Sequence, residues 1–467
     1  MADATHYDLV VIGAGSGSAV VDDRFSDWRV AIIERDAFGG TCLNRGCIPT
    51  KMFVLPSDLA RDAAEGERLD VHTSYDGVDW PALRDRIFGR TDASARQGRA
   101  DRDRSDNVDV LTGTACFTGP RALTVALKDG GEVALTADRV VLATGGSPVV
   151  PDIPGLAEVR HHTSDDVMRL DALPRRIGVL GGGYVGCELA HVFAALGSTV
   201  VQVEATDTLL GTQDADVARL VTEHCARQWD VRTGTTVERF SRDGDAVTMH
   251  LDHGDPVTVD TVLVSIGRRP GTAGLGLEVA GVELDDGGRV VVDGHQRTSA
   301  EGVWALGDVS TDVPLKHVAN HEARVVQHNL LHPDELVTTD HRFVPNAVFT
   351  SPQVGAAGLT EQRAREDGLD VAVATSRFED TAYGWALEAD DQGWFCKVVA
   401  DRATGRLVGA HLAGPHAATL VQPLIMAMGL ELPVVGLARS QYWIHPAPTE
   451  VVEQALLALE EELTAGR

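Results

Sequence analysis

Residues 7–18, Tyr-Asp-Leu-Val-Val-Ile-Gly-Ala-Gly-Ser-Gly-Ser, decide how the first part of the chain folds. An apolar, β-branched run that breaks into glycines is typical of a buried parallel strand ending in a tight turn. The next apolar run, residues 29–33, ends at Glu34, 21 residues after Gly13. This spacing indicates a dinucleotide-binding fold, in which a helix start faces the pyrophosphate and the acid binds the adenosine ribose. The predicted contacts are Gly13, Gly15, Ser16, Gly17 and Glu34, with Ser18 in place of the third glycine.

The pattern returns 168 residues later, where residues 176–186 read Arg-Ile-Gly-Val-Leu-Gly-Gly-Gly-Tyr-Val-Gly. A helix is predicted from Cys187 to Leu196, followed by a strand at residues 199–203 that leads to Glu204. Two such folds in one chain indicate that it binds two dinucleotides, usually a tightly held flavin and a diffusing nicotinamide coenzyme. The predicted coenzyme contacts are Gly181, Gly183, Gly186 and Glu204.

The choice of coenzyme depends on the residues after the second fold's strand. Glu204 suits a free 2′-hydroxyl and would repel a 2′-phosphate, which needs Arg or Lys nearby. Residues 204–208 contain no basic side chain. The residues alone therefore favour NADH.

A pair of cysteines, Cys42 and Cys47, follows the first fold's second strand. Residues five apart on a regular helix point about 140° away from each other. Joining the pair therefore needs a distorted turn, which Gly46 can supply, and the strain would make the disulfide easier to reduce. Such a pair can accept two electrons and pass them on by thiol–disulfide exchange. Two alternatives are a pair of unrelated buried thiols and a metal site. A metal site would need further cysteines or histidines close to this pair, and none accompany it in the sequence.

Composition narrows the partners and the compartment. The chain has 467 residues and a net charge of −28, which would repel nucleic acid and anionic membranes. The N-terminus lacks the pattern of a signal peptide, no stretch approaches a membrane span, and six cysteines are too few for a secreted disulfide framework. We expect a cytoplasmic protein that binds neither nucleic acid nor membrane.

The segment Gly39-Gly-Thr-Cys-Leu-Asn-Arg-Gly-Cys-Ile-Pro-Thr-Lys51 resembles the redox-active segment of the flavoprotein disulfide reductases, which include glutathione reductase and dihydrolipoamide dehydrogenase. Three further stretches resemble family motifs, at residues 143–148, 266–270 and 304–308. The resemblance implies that the flavin is FAD, that Cys42 exchanges with substrate and that Cys47 lies beside the flavin. It also implies that Lys51 pairs with Glu188 near the flavin ring, that Tyr184 gates the nicotinamide pocket and that Asp308 binds the ribityl chain. The remaining cofactor contacts that it implies are Thr41, Cys42, Lys51, Thr144, Gly145 and Arg268.

A histidine and a glutamate complete the predicted site. Pro448 suits the first turn of a helix, which places Glu450 at the helix start and His445 in the entering loop. A carboxylate beside an imidazole holds one tautomer of the ring, as a general base requires. In the family this pair serves the active site of the other subunit, so the resemblance implies a homodimer with a shared active site.

The substrate is a small-molecule disulfide by the same resemblance. Residues 49–54, 315–331 and 441–447 resemble the mycothione reductases most closely, which implies the reduction of mycothione to two mycothiols. Those enzymes are expected to use NADPH through arginines that this chain lacks after Glu204, so NADPH and NADH both stay open. Dihydrolipoamide dehydrogenase using NAD is the nearer alternative, and a flavin-bearing redox sensor the more distant one.

These patterns predict an α/β protein with two Rossmann-like dinucleotide-binding domains and a C-terminal α+β dimerisation domain. We assign residues 1–155 to the first part of the FAD-binding domain and 156–275 to the NAD(P)H-binding domain. Residues 276–344 would complete the FAD site, and 345–467 would form the dimerisation domain. No metal is expected: His317, His321 and His328 form a packing or surface stripe, and the other four cysteines are isolated packing residues.

Overall fold

The computed structural model describes residues 4–465. Within them the chain forms 21 strands and twelve α-helices. The strands are β1 Thr5–Ile12, β2 Val30–Glu34, β3 Val108–Gly119, β4 Ala122–Leu127, β5 Glu132–Leu142, β6 Gly146–Pro148, β7 His161–His162, β8 Arg176–Leu180, β9 Thr199–Val203, β10 Asp230–Arg232, β11 Val237–Asp243, β12 Ala246–Leu251, β13 Val257–Val259, β14 Thr261–Val264, β15 Arg268–Pro270, β16 Val303–Ala305, β17 Pro345–Val348, β18 Val354–Gly358, β19 Val371–Arg377, β20 Phe395–Asp401 and β21 Arg406–Ala413. The helices are α1 Gly40–Asn44, α2 Cys47–Ala64, α3 Trp80–Asp103, α4 Tyr184–Ala195, α5 Ala215–Gln228, α6 Leu277–Ala280, α7 Lys316–Leu331, α8 Glu361–Glu366, α9 Ala382–Ala386, α10 Ala417–Leu420, α11 Gln422–Gly429 and α12 Glu450–Thr464.

The chain divides into two units that each combine separate segments. The first unit contains the chain up to Thr50 together with Ala82–Val149 and Gly267–His341. The second contains Lys51–Pro81, Val150–Ile266 and the chain from Arg342 onward. No helix in the described part of the chain is both long and apolar enough to span a bilayer.

The first unit is built on a six-stranded sheet around β1. Strand β1 pairs in parallel with β2 and β5, β2 continues to β3, and β16 pairs with the outer edge of β5. Along β1, Leu9 and Val11 face one buried cluster while Val10 and Ile12 face another. Burial on both faces explains why this strand reads as a continuous apolar run rather than an alternating one.

The prediction of a helix after the first glycine turn is wrong, because no α-helix follows Gly17 in this part of the first unit. Residues Gly17–Val20 form a single 3₁₀ turn, and a second 3₁₀ turn follows at Asp23–Phe25. The Asp22 carboxylate accepts a hydrogen bond from the Arg24 backbone N–H and so begins this second turn. The first turn ends at Val21, whose extended backbone (φ −104°, ψ 123°) keeps an α-helix from continuing out of the glycine turn.

The second unit contains three further sheets, of which the antiparallel sheet of β11, β12 and β13 is the smallest. Strands β10, β9, β8, β14 and β7 form a parallel sheet in that order, with the glycine turn at the end of β8. Strands β17, β18, β21, β20 and β19 form an antiparallel sheet, and α12 packs on it through Val451, Val452 and Leu459. Parallel βα units beside an antiparallel sheet with helices confirm the α/β and α+β prediction.

Candidate active site

The first glycine turn joins the ends of two neighbouring strands. Gly13 has a φ of +106°, and a Cβ at this position would lie 2.2 Å from the Ala143 carbonyl oxygen. A side chain here would therefore require both a strained backbone and separation of β1 from β5. Glycine at this position keeps the carboxyl ends of the strands close, where dinucleotides bind in such sheets.

Glu34 places its carboxylate on this turn. One oxygen accepts a hydrogen bond from the Ala14 N–H at 2.8 Å, and the other accepts one from the Asp36 N–H at 2.9 Å. The carboxylate is thus fixed at the end of β2, beside the glycine backbone. This is the position from which an acid can reach a ribose.

Cys42 and Cys47 lie on either side of a helix break. Helix α1 ends at Asn44, and α2 begins at Cys47. The break at residues 45–46 is the predicted distortion, and both cysteines are free thiols. The glycine turn packs directly on α1, because a Cβ on Gly40 would lie 2.7 Å from the Gly15 Cα.

The two thiols differ in environment. A hydrogen bond with Cys47, together with burial, holds the pKa of the Cys42 thiol far above its usual range. Cys47 is exposed and is the first residue of α2, where the helix dipole favours negative charge. The hydrogen bond and burial therefore favour the protonated form of Cys42, and the helix start favours negative charge at Cys47.

The first unit also presents polar groups suited to a flavin. The Thr144 hydroxyl is buried and has no hydrogen-bond partner within residues 4–465. Asp308 lies 3.5 Å from the Arg268 guanidinium, and Arg268 also donates to the Gly146 carbonyl at 2.6 Å. A buried hydroxyl without a partner is costly unless a ligand satisfies it, so these residues fit a bound FAD. Thr41 lies in α1 beside Cys42, and Gly145 has a φ of +65°.

The second glycine turn lies in the second unit. A Cβ on Gly181 would lie 2.6 Å from the Ser265 carbonyl oxygen, and one on Gly186 would lie 2.2 Å from the Gly181 carbonyl oxygen. Gly183, by contrast, faces open space. The turn is therefore tight towards the sheet and open on the side where a pyrophosphate could approach, and it fits a dinucleotide.

Glu204 is held by the protein in a position to select the coenzyme. Its carboxylate accepts hydrogen bonds from the Gly182 N–H at 2.5 Å and from the Thr206 N–H at 2.8 Å. In the described part of the chain Glu204 has no ion pair. Arg232, on the neighbouring strand, is engaged by Asp230 at 3.0 Å. No cation in that part of the chain therefore offsets the repulsion that this carboxylate would exert on a 2′-phosphate.

Lys51 and Glu188 form an ion pair between α2 and α4, with 2.6 Å between Nζ and Oε2. Glu188 is buried and also accepts a hydrogen bond from the Phe349 N–H at 3.0 Å. The Lys51 ammonium lies 4.8 Å from the centre of the Phe349 ring. Tyr184, the first residue of α4, is 41% exposed.

His445 and Glu450 are in direct contact. The Glu450 carboxylate binds His445 Nδ1 through one oxygen and accepts a hydrogen bond from the Tyr383 N–H at 3.2 Å through the other. The His445 side chain is 72% exposed, while that of Glu450 is 9% exposed. A buried carboxylate thus orients an imidazole that projects into solvent. Pro448 precedes α12 rather than lying in its first turn, but Glu450 is the first helical residue.

Several charged residues were missed by the sequence analysis. Lys397 is buried and binds three carboxylates, His191 binds Asp58 at 2.8 Å, and Lys316 donates to the Ser16 hydroxyl at 2.7 Å. Their partners are distant in sequence, so no local motif marks them. Among residues 4–465 there is no group of three or more His, Cys, Asp or Glu side chains that could hold a metal ion.

The chain was compared with known proteins. Residues 7–323 match the family described as pyridine nucleotide-disulphide oxidoreductase, and residues 344–456 match its dimerisation domain. Mycothione reductase from Mycobacterium tuberculosis is 45% identical over 97% of this chain and 99% of its own length. Dihydrolipoyl dehydrogenase from Haloferax volcanii is 35% identical over 97% of this chain and 96% of its own length.

Among solved structures, the HOCl-induced flavoprotein disulfide reductase RclA from Escherichia coli has a TM-score of 0.85 and 30% identity, with 97% of this chain and 99% of that chain covered. The relatives and both family matches extend over nearly the full chain. The protein therefore belongs to the pyridine nucleotide-disulphide oxidoreductases, a family of enzymes that use FAD and NAD(P)H.

Proposed function

We propose that the protein reduces the disulfide of a low-molecular-weight thiol, most specifically mycothione to two mycothiols. The observation that carries the proposal is the Cys42–Cys47 dithiol at a helix break, packed against a dinucleotide-type glycine turn. The name of the 45%-identical relative supports mycothione over dihydrolipoamide, since the dihydrolipoyl dehydrogenase is 35% identical.

The first unit would hold FAD through the turn at residues 13–17, Glu34, Thr41, residues 144–145, Arg268 and Asp308. The turn would face the diphosphate, Glu34 the ribose, and Asp308 the ribityl chain. FAD, when bound, would take a hydride from NAD(P)H and deliver an electron pair to the Cys42–Cys47 disulfide. By the family resemblance Lys51 and Glu188 would act beside the flavin ring, and Tyr184 would gate the coenzyme pocket.

The reduced dithiol would then carry out two exchange steps. Cys42 loses its proton and attacks one sulfur of the substrate disulfide, which forms a mixed disulfide and releases the first thiol. The Cys47 thiolate next attacks the Cys42 sulfur, which releases the second thiol and restores the protein disulfide. The sum is one NAD(P)H, one proton and one disulfide converted to NAD(P)⁺ and two thiols.

His445 is the base and acid in this scheme. The hydrogen bond between Cys42 and Cys47 raises the pKa of the Cys42 thiol. Cys42 therefore needs a base before it can attack the substrate. The exposed imidazole of His445, oriented by the buried Glu450, is suited to take that proton and return it to the leaving thiol. We infer that this pair serves the dithiol of a second protomer, so the active enzyme is a homodimer with shared sites.

Coenzyme choice and organisation complete the proposal. The uncompensated Glu204 favours NADH over NADPH. The segments 1–155 and 276–344 would bind FAD, 156–275 would bind NAD(P)H, and 345–467 would form the dimer. We place the enzyme in the cytoplasm, without nucleic acid or membrane as a partner.

A second candidate is supported by Glu204 alone. Dihydrolipoyl dehydrogenase activity with NAD would suit the same carboxylate, and it would use the same dithiol in the oxidative direction. The two candidates therefore differ in substrate and direction rather than in the residues that react.

The Cys42→Ser variant tests the proposal. We expect NADH to reduce the flavin of this variant while turnover with disulfide substrates falls to background. The matched control is Cys116→Ser, which removes another partly exposed thiol of the same unit and should retain full turnover. Unchanged disulfide turnover in Cys42→Ser would contradict the mechanism and favour a redox sensor that reacts only through its flavin.

A further inference from the structure

Lys316 is a lysine in a chain that rarely uses lysine. Of the 41 basic Lys and Arg residues, four are lysines: Lys51, Lys128, Lys316 and Lys397. Lys316 is the first residue of α7 and is half-buried. Lysine carries a compact charge on a flexible stem and shifts its pKa readily when buried, whereas arginine does not. The choice of lysine at this half-buried position therefore suggests a specific role for its charge.

The Lys316 side chain extends towards the first glycine turn. Its Nζ donates to the Ser16 hydroxyl at 2.7 Å, and that hydroxyl lies 3.5 Å from the Asn320 side-chain oxygen. The turn that contains Ser16 packs through Gly15 on Gly40, which begins the helix that carries Cys42. One continuous set of contacts therefore connects Lys316 to the dithiol helix.

The charges around Lys316 are unbalanced. Among the described residues no carboxylate lies within ion-pair distance of its Nζ. Burial lowers the pKa of Lys316, while interactions with Cys42, Cys47 and Asp308 oppose that change. Asp308 already has Arg268 at 3.5 Å. Besides a cofactor diphosphate on the glycine turn, which Lys316 contacts through Ser16, the anion that interacts with Lys316 is therefore the one that forms on the cysteine pair.

Reduction of a protein disulfide creates that anion. The disulfide takes up two electrons and one proton, and the products are one thiol and one thiolate. We propose that Lys316 is the cation that stabilises this thiolate in the reduced Cys42–Cys47 pair. This role rests on the proposed function. Lys316 is a positioning residue that acts on the charge of the pair and takes no part in bond exchange.

The pH dependence of alkylation tests the role directly. Holoenzyme reduced with one equivalent of NADH is treated with iodoacetamide across a pH series, in a Cys116→Ser background because Cys116 is the other thiol that is not buried. We expect Lys316→Met to raise the apparent pKa of alkylation by about one unit, as for loss of a nearby opposite charge. Lys316→Arg should restore most of the shift. The control Lys128→Met, which removes an exposed lysine from the same unit, should leave the profile unchanged.

Flavin retention after gel filtration separates this role from cofactor binding. Full retention in Lys316→Met with a shifted alkylation profile supports the proposal. Loss of flavin with an unshifted profile would overturn it and would assign Lys316 to the cofactor diphosphate. An unshifted profile with full retention would also overturn it. Because alkylation needs no disulfide substrate, failure here is distinguishable from failure of the proposed mycothione activity.

Discussion

Replacement of Glu450 by glutamine removes one charge from the His445–Glu450 pair and preserves the shape of the side chain. The two carboxylate oxygens of Glu450 bind different partners, the His445 ring and the Tyr383 N–H. Glutamine keeps one acceptor oxygen, so the neutral amide can still serve one of these partners. A hydrogen bond to a charged group contributes about 1.5–3 kcal/mol and a neutral one about 0.5–1.5 kcal/mol. The difference of about 1–1.5 kcal/mol corresponds to a roughly 5–15-fold slower exchange step.

The two half-reactions should respond differently to Glu450→Gln. We expect stopped-flow reduction of the flavin by NADH to be unchanged, because His445 and Glu450 take no part in it. Reoxidation of the reduced enzyme by the disulfide substrate should slow roughly 5–15-fold. The control is Glu453→Gln, which removes another acid from the first turn of α12 and should change neither step. Equal slowing of both half-reactions, or of neither, would refute the assignment of His445 as the base.

Three further predictions concern the framework of the site. Gly13→Ala should lower flavin content roughly tenfold or more, equivalent to about 1.4 kcal/mol, because its Cβ would lie 2.2 Å from a backbone carbonyl oxygen. Gly130→Ala is its control, since Gly130 also has a positive φ but no atom within 4 Å of the added Cβ; an equal flavin loss in both variants would show that backbone strain alone is responsible. Lys397→Met should lower the free energy of unfolding by about 3–5 kcal/mol, because it leaves the buried Asp214 without its cation, and a melting temperature unchanged in thermal unfolding would contradict this. The hydrogen bond from Lys397 lowers the pKa of Glu361 in the folded state, so its contribution to stability is complete above the unfolded pKa and is lost as the pH falls through the lower folded value. Acid unfolding curves should therefore show a smaller loss of stability below about pH 4 in Lys397→Met than in the parent, and equal losses would count against the ion pair.

The elements next to the glycine turns could be predicted closely from sequence. Strands β8 and β9 have the predicted bounds, and β1 and β2 differ by one or two residues at their ends. The physical reason is that an apolar run followed by glycines, and then by a second apolar run that ends at an acidic residue, can be buried in few ways other than as two parallel strands. The helix break at Gly46 was predictable for the same kind of local reason.

Contacts between distant segments could not be predicted in this way. Ser16 and Lys316 are 300 residues apart and meet because α7 packs on the sheet that carries the glycine turn. Lys397 and Asp214 are 183 residues apart. The sequence analysis expected a helix after Gly17 from the glycine spacing, and the structure has two 3₁₀ turns there instead. Local patterns therefore predict turns and strands, and tertiary packing decides which charges face each other.

The most direct test of the proposed function is the oxidation of NADH and of NADPH by the purified holoenzyme with three disulfides. These are mycothione, lipoamide and glutathione disulfide. We predict turnover with mycothione well above the other two, and faster oxidation of NADH than of NADPH because of Glu204. Fast turnover of lipoamide with NADH and none with mycothione would contradict the account and assign the dithiol to dihydrolipoyl dehydrogenase chemistry.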